Sequence, residues 1–176
     1  MNQKTAMKLF GLLGLLMLLS CGYADRHRNN SSCEQVLVDS LEVRVQDSLF
    51  SNVHYSRSQV LDALTQAQDS QVYYRLLALY GKTFFVSSDF DSILYYNRRV
   101  KEFFRNASQS SESLQSPQWN DVLSDVYNIE GNVWMQLNRP DSAITDYKKA
   151  YEYRLKGKKL HLLPDICINT ADAYLH

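Results

Sequence analysis

The stretch from Ser124 to Lys156 constrains the fold more than any other part of the sequence. Its apolar and aromatic residues recur with the spacing of two amphipathic helices, and not with the alternation of a β-strand. The two patterns meet at Asn138–Asp141, where Pro140 suits the first turn of a helix and would damage a helix interior. The sequence therefore predicts two helices joined by a tight turn, with the second beginning near Pro140.

Small and aromatic residues occupy the positions where these two helices would cross. They are Tyr127, Gly131, Trp134, Ala143, Tyr147 and Ala150. The set resembles the tetratricopeptide repeat, in which an aromatic, a small residue and an aromatic face an alanine, an aromatic and an alanine. Glu130 departs from that pattern, because the family usually has a large apolar residue there. The alternative is an ordinary antiparallel helical hairpin with small residues at its crossing.

The same pattern recurs upstream and begins again downstream. The upstream copy has the same mutual offsets at Leu77, Gly81, Phe84, Ile93 and Val100. Asn97 stands where the family expects an aromatic residue, and Thr170, Ala171 and Tyr174 repeat the first-helix pattern. The resemblance therefore implies an all-α protein of antiparallel helix-hairpin repeats, stacked as a right-handed α–α superhelix.

Breaks in helical spacing divide the chain into segments. They are a signal peptide (1–20), a polar tether (21–32), an N-terminal helical cap or degenerate repeat (33–68), a tetratricopeptide-like repeat (69–106), a Ser-rich loop (107–118), a tetratricopeptide repeat (119–157) and the first helix of an incomplete repeat (158–176). The helix predicted in the cap carries an apolar face of Val36, Leu37, Leu41, Val45 and Leu49.

The N-terminal residues have the form of a bacterial export signal. Lys4 and Lys8 precede an apolar run that ends at Leu19, which is shorter than the roughly 20 residues of a membrane span. Residues 18–21 resemble the cleavage box of bacterial lipoproteins, which implies lipid attachment at Cys21. The resemblance places the protein in the cell envelope, and the absence of an acidic run after Cys21 favours the periplasmic side. The alternative is a plain secretory signal with a chance cysteine.

No motif in the sequence indicates catalysis or a cofactor. Gly81–Thr83 matches the end of a phosphate-binding loop, but Leu76 occupies a position where that loop needs glycine. The four histidines show no metal-ligand spacing. Lysine plus arginine equals aspartate plus glutamate at 19 each, and no basic patch stands out. We therefore expect no enzyme activity, cofactor, metal or nucleic-acid partner in this segment.

The resemblance assigns ligand contacts to polar residues of the first helices, which line a concave groove in this family. By match to Gly131, Gly81 and Ala171 they are Asp125, Asn128, Asn132 and Gln136, then Arg75 and Lys82, then Asp165 and Asp172. Asn128 and Asn132 lie one helical turn apart, so both amides could hydrogen-bond a peptide backbone. The alternative is that both side chains are merely solvated.

Two functions follow as expectations. The first is an exported, lipid-anchored scaffold that binds a peptide or protein in its groove without catalysis. The second is the periplasmic sensing region of a larger signal-transduction protein, a sensor histidine kinase or a helix-turn-helix regulator. A first helix without a mate would leave Ile166, Ile168, Ala171 and Leu175 partly bare. We therefore expect further repeats or an output domain downstream, or another chain, to cover them.

Overall fold

The computed structural model describes residues 34–107 and 116–176, and within these ranges it contains helices and no strand. The α-helices are α1 (residues 34–48), α2 (Val53–Gln66), α3 (Ser70–Lys82), α4 (Phe90–Ala107), α5 (Pro117–Gln136), α6 (Pro140–Arg154) and α7 (Leu163–Leu175). Short 3-10 turns cover Phe85–Ser87 and Leu160–Leu162. The predicted all-α fold is confirmed. The signal peptide, Cys21, the tether and most of the Ser-rich loop lie outside the described residues.

Local chemistry fixes where several helices begin. Pro117, Pro140 and Pro164 lie in the first two positions of α5, α6 and α7, where a missing N–H and a fixed φ are favourable. The side chains of Asp69 and Ser116 accept hydrogen bonds from the first backbone amides of α3 and α5. The predicted start at Pro140 is confirmed. Assigning Pro117 to the Ser-rich loop was wrong, because this proline opens a helix that Ser116 caps.

Consecutive helices pack as antiparallel pairs, as α5 and α6 show most fully. The Ser124 hydroxyl donates to the Ala150 carbonyl at 2.8 Å, and the Trp134 indole donates to the Asp146 carboxylate at 2.9 Å. The N-terminal part of α5 therefore packs against the C-terminal part of α6, and the C-terminal part of α5 packs against the N-terminal part of α6. The rings of Tyr74 in α3 and Phe103 in α4 stack at 4.0 Å in the corresponding arrangement.

The small residues expected at the helix crossings of the first two copies are buried, whereas Ala171 of the third copy is exposed. Ala143 and Ala150 have no exposed surface, and Gly81 and Gly131 lie in the same interfaces. At Gly131 the ring of Tyr147 lies so close that an added Cβ would stand 2.3 Å from its Cε1 atom. The crossing of α5 and α6 therefore depends on the absence of a side chain at this position.

The core consists of successive clusters and not of one central mass. One cluster joins α1, α2 and α3, the next joins α3, α4 and α5, and the third joins α5, α6 and α7. Each helical pair thus contacts mainly its neighbours along the chain, as expected for stacked repeats. The handedness of the stack stays a prediction.

The predicted apolar face of α1 was partly wrong. Val36 and Leu37 are 69% and 46% exposed, whereas Val38, which the prediction left out, is fully buried. The stripe that packs on α2 and α3 continues through Leu41, Val45 and Leu49. From Val38 onwards the buried residues follow a spacing close to 3.6 residues per turn. A step of four residues back from Leu41 reaches Leu37, which lies off the buried face, whereas a step of three reaches the buried Val38.

The two residues that depart from the repeat pattern are both buried between α4 and α5. Glu130 is 3% exposed, and its carboxylate lies 2.5 Å from the ammonium of Lys101. The side-chain amide of Asn97 donates to the Val126 carbonyl at 3.2 Å. Burial raises the pKa of Glu130, and the nearby Lys101 opposes that rise. Polar contacts therefore replace apolar ones at this junction.

The last helix, α7, is covered on one side. Ile166 is 1% exposed, so its expected exposure was wrong; it packs with Ala143 and Tyr147 of α6. Ile168 and Leu175 are 66% and 86% exposed, in agreement with the expectation for them. Among the described residues, no second helix lies against that side of α7.

Candidate functional site

A groove of about 650 Å³ runs along the first helices of the hairpins. Its lining comes from α1, α3, α5 and α7 and from the connection between α6 and α7, with single residues from α4 and α6, Asn97 and Arg154. Helix α2 contributes nothing to it. Each apolar cluster joins the two helices of a pair to the first helix of the next pair. The first helices therefore line the groove with the residues that face away from these clusters and with apolar residues at their edges.

Of the six residues of α3 and α5 that were assigned to ligand contact, four line this groove. They are Arg75 and Lys82 of α3, with Asp125 and Asn128 of α5. Asp165 of α7 lines it too, whereas Asp172 does not and lies 3.8 Å from His176 at the surface.

Asn132 and Gln136 do not line the groove. The side-chain oxygen of Asn132 accepts a hydrogen bond from the Tyr147 hydroxyl at 2.8 Å, so this amide serves the crossing of α5 and α6. Gln136 is the exposed last residue of α5. Asn128 reaches the groove, but its oxygen accepts from the Asn169 amide at 3.1 Å. The structure therefore does not bring Asn128 and Asn132 together as one peptide-binding pair.

A carboxylate of α1 joins two walls of the groove. One oxygen of Glu42 lies 3.1 Å from the guanidinium of Arg75, and the other lies 2.8 Å from the ammonium of Lys159. Arg75 also contacts Asp39 at 2.7 Å. Burial opposes the charge of Lys159, but Glu42 raises the pKa of that ammonium overall. Helix α1, helix α3 and the connection before α7 are thus held by one set of ion pairs.

A second buried arginine holds that connection from the other side. Arg154 is 1% exposed and donates to the Asp121 carboxylate at 2.8 Å and to Asp125. Asp121 also accepts from the backbone amides of Lys158 and Lys159 at 2.9 and 3.1 Å. The loop after α6 is therefore fixed by a carboxylate from the first turn and a half of α5.

Lys82 stands apart from these pairs. It is half-buried, and its ammonium donates to the neutral side-chain oxygen of Gln46 at 2.5 Å. Within the described parts of the chain, no carboxylate lies within 4.0 Å of it. Burial lowers the pKa of Lys82, and the more distant carboxylate of Asp125 opposes this shift most.

Sequence reasoning missed Glu42, Asp121, Arg154 and Lys159. One signal for Arg154 was present, because it continues the buried stripe of Ala143, Tyr147 and Ala150 at helical spacing. A charged residue on an apolar stripe indicates a buried ion pair. No comparable signal marks Glu42 or Lys159, which are 117 residues apart.

These observations define an all-α array of antiparallel helical hairpins with a charged groove along its first helices. No protein-family model matches the chain, and no curated protein or solved structure matches it. In residues 34–107 and 116–176 there is no group of three or more His, Cys, Asp or Glu able to hold a metal ion. None of the helices in that part of the chain has the length and apolar character to cross a membrane.

Proposed function

We propose that this protein is an exported, lipid-anchored tetratricopeptide-repeat scaffold that binds a peptide or protein ligand in its groove and catalyses no reaction. The observation that supports it is the groove of about 650 Å³, lined by the first helix of each hairpin. Its volume falls within the range of about 300–1,000 Å³ typical of ligand sites. The small-and-aromatic pattern at the crossings supports the repeat assignment.

The charges of the groove favour binding over a purely structural role. Arg75 and Arg154 are 5% and 1% exposed, and both are paired with carboxylates that also line the groove. Buried ion pairs add little to stability, because desolvation offsets most of their attraction. Perturbed ionisable groups within a cleft, such as Lys82, are instead typical of functional sites.

Photo-crosslinking of the full chain tests the groove. A benzoylphenylalanine at Asn128, inside the groove, should give peptide adducts that mass spectrometry identifies. The same residue at Tyr95 is the control, because Tyr95 is 54% exposed on α4 and does not line the groove. A Val43→Trp substitution, which places bulk at the groove rim, should reduce the adducts at Asn128. Equal adducts at Asn128 and Tyr95 would contradict binding in the groove.

The lipid anchor is a separate part of the proposal and has its own test. Cells that express the full chain should incorporate labelled palmitate, and Cys21→Ser should abolish that incorporation. Cys33→Ser is the matched control and should retain the label. Label that persists in Cys21→Ser would contradict attachment at this cysteine.

A second candidate is the sensing region of a larger signal-transduction protein. The observation that favours it is the exposed side of α7, where Ile168, Tyr174 and Leu175 are 66%, 60% and 86% exposed. Equivalent sides of α3 and α5 are covered by α4 and α6. The reading frame beyond His176 separates the two candidates. A hydrophobic span followed by a kinase or DNA-binding module supports the sensor, and further repeats followed by a stop support the scaffold.

A further inference from the structure

The connection between α6 and α7, residues 155–162, contributes to the lining of the groove and contacts α5 on one side and α1 on the other. Asp121 of α5 accepts hydrogen bonds from the backbone amides of Lys158 and Lys159. The ammonium of Lys159 lies 2.8 Å from the carboxylate of Glu42 in α1. Resting on the proposed function, we propose that the Glu42–Lys159 ion pair is a latch, which closes the groove between α1 and the connection and whose release admits the ligand.

The contacts of the connection with α5 are buried. Asp121 is 4% exposed, and its carboxylate also accepts a hydrogen bond at 2.8 Å from Arg154, which is 1% exposed. The connection packs directly on this carboxylate, because an added Cβ at Gly157 would collide with it. Separating these groups would leave a buried charge without its partner, which is strongly unfavourable. The connection therefore stays attached to α5 when its other side is released.

The contact with α1 differs in burial and in what its loss leaves behind. The side chains of Lys159 and Glu42 are 35% and 21% exposed, so water can reach both when they separate. Glu42 uses a different oxygen for each of its two partners, and Arg75 stays 3.1 Å from the other oxygen. Neither charge is therefore left buried and unpaired. A pair of this kind shifts an equilibrium by up to about fivefold, which corresponds to about 1 kcal/mol.

The Glu42–Lys159 pair is also the one ion pair, among the described residues, that joins α1 to a part of the chain beyond α3. The other ion pairs of α1 join Asp39 and Glu42 to Arg75 of α3. Those pairs and the apolar cluster of α1, α2 and α3 hold α1 in the stack whether or not Lys159 is bound. Glu42 and Lys159 both line the groove, so their separation widens it directly.

Asp39 provides a matched control for Glu42. It lies on α1 three residues before Glu42 and also lines the groove. Its carboxylate pairs with Arg75 at 2.7 Å, whereas its partners do not include the connection. Asp39→Asn and Glu42→Gln therefore remove the same charge from the same helix, and only Glu42→Gln removes the contact between α1 and the connection.

The distance between α1 and the connection tests the latch. Spin labels on p-acetylphenylalanine at Val36 and Leu160, which are 69% and 51% exposed, report it in the full chain by double electron–electron resonance. Raising NaCl from about 0.01 M to about 1 M shortens the Debye length from about 30 Å to about 3 Å, so a longer distance should become more populated. At low salt Glu42→Gln should raise that population about fivefold, and Asp39→Asn should leave it unchanged. Far-UV circular dichroism should be the same in both variants.

Photo-crosslinking at Asn128 connects the latch with ligand entry. Glu42→Gln should raise the initial rate of peptide adduct formation about fivefold at low salt, and Asp39→Asn should not. One distance at every salt concentration in the unsubstituted chain, or equal distance distributions in the two variants, would overturn the latch. A longer distance without a faster rate would overturn its role in ligand entry. Absence of adducts in every variant would contradict the proposed peptide binding, while the distances alone would still decide whether the pair opens.

Discussion

Gly81 and Gly131 occupy equivalent positions in two hairpins, yet alanine should be tolerated at only one of them. A Cβ at position 131 would lie 2.3 Å from Cε1 of Tyr147, well inside van der Waals contact. A Cβ at position 81 would lie 3.1 Å from the Cβ of Tyr96, which a shift of a few tenths of an ångström relieves. The two substitutions are identical in chemistry and differ in the space that they meet.

The magnitude follows from what can move. Tyr147 is 2% exposed, and its hydroxyl donates to Asn132 at 2.8 Å, so its ring cannot swing into solvent without breaking that bond. Overpacking costs about 1–3 kcal/mol and a lost hydrogen bond about 1 kcal/mol, while replacing a helical glycine regains up to about 1 kcal/mol. Gly131→Ala should therefore destabilise the protein by about 1–3 kcal/mol. Gly81→Ala should change the free energy of unfolding by less than about 1 kcal/mol.

Urea unfolding followed by far-UV circular dichroism measures both changes. In a chain of this size each kcal/mol also shifts the melting temperature by about 2–4 °C. Tyr147→Leu removes the ring, so Gly131→Ala should cost far less in that background, and the double-mutant cycle isolates the contact. If Gly131→Ala is as stable as Gly81→Ala, or if its cost is unchanged with Tyr147→Leu, the reasoning from the crossing fails.

Three ionisable sites give further predictions, each measured by the same unfolding assay. Lys101→Met should destabilise the protein by about 3 kcal/mol at neutral pH, because it leaves Glu130 buried without its partner. The loss of stability should become smaller at lower pH, where Glu130 is protonated. Adding Glu130→Leu should recover most of it. Burial lowers the pKa of Lys82 below 10.5 in the folded state, so the unfolded state binds more protons there at alkaline pH. This group should therefore make stability rise as pH increases towards 10.5, and Lys82→Gln should remove that rise. Arg154→Met should destabilise by about 3 kcal/mol because it leaves Asp121 buried, and protease cleavage after α6 should increase. Unchanged stability in Lys101→Met or Arg154→Met would contradict the corresponding ion-pair argument, and an alkaline rise that persists in Lys82→Gln would contradict the argument from its burial.

Local features were predictable from the sequence where a residue type strongly favours one local structure. Pro140 marked the start of α6, and Gly131 with Tyr147 marked the crossing of α5 and α6. The face of α1 was less determined, because Val36, Leu37 and Val38 are adjacent and only packing on α2 and α3 selects among them. Periodicity thus identifies a helix more securely than it identifies its buried side.

The groove was predictable in position and not in detail. Equivalent offsets in successive hairpins placed Arg75, Lys82, Asp125 and Asn128 on one surface. The same offsets gave a wrong position for Asn132, because its side-chain oxygen accepts a hydrogen bond from Tyr147 of α6 and does not reach the groove. Sequence offsets within one hairpin indicate which face of a helix a residue occupies. They do not indicate which groups of the neighbouring helix form hydrogen bonds with its side chain.

Contacts across the groove were beyond sequence reasoning for a geometric reason. Glu42 meets Lys159 because the fold brings α1 to the connection before α7, although 117 residues separate the two in sequence. This proximity depends on every helical junction between them, and no single junction encodes it. The apolar clusters lie between helices of successive pairs, so they fix the stacking. The ion pairs of Glu42, Arg75 and Arg154 lie on the groove side, where they link the walls. Apolar packing therefore determines that hairpins stack, whereas polar contacts between distant helices determine the shape of the groove that the stack encloses.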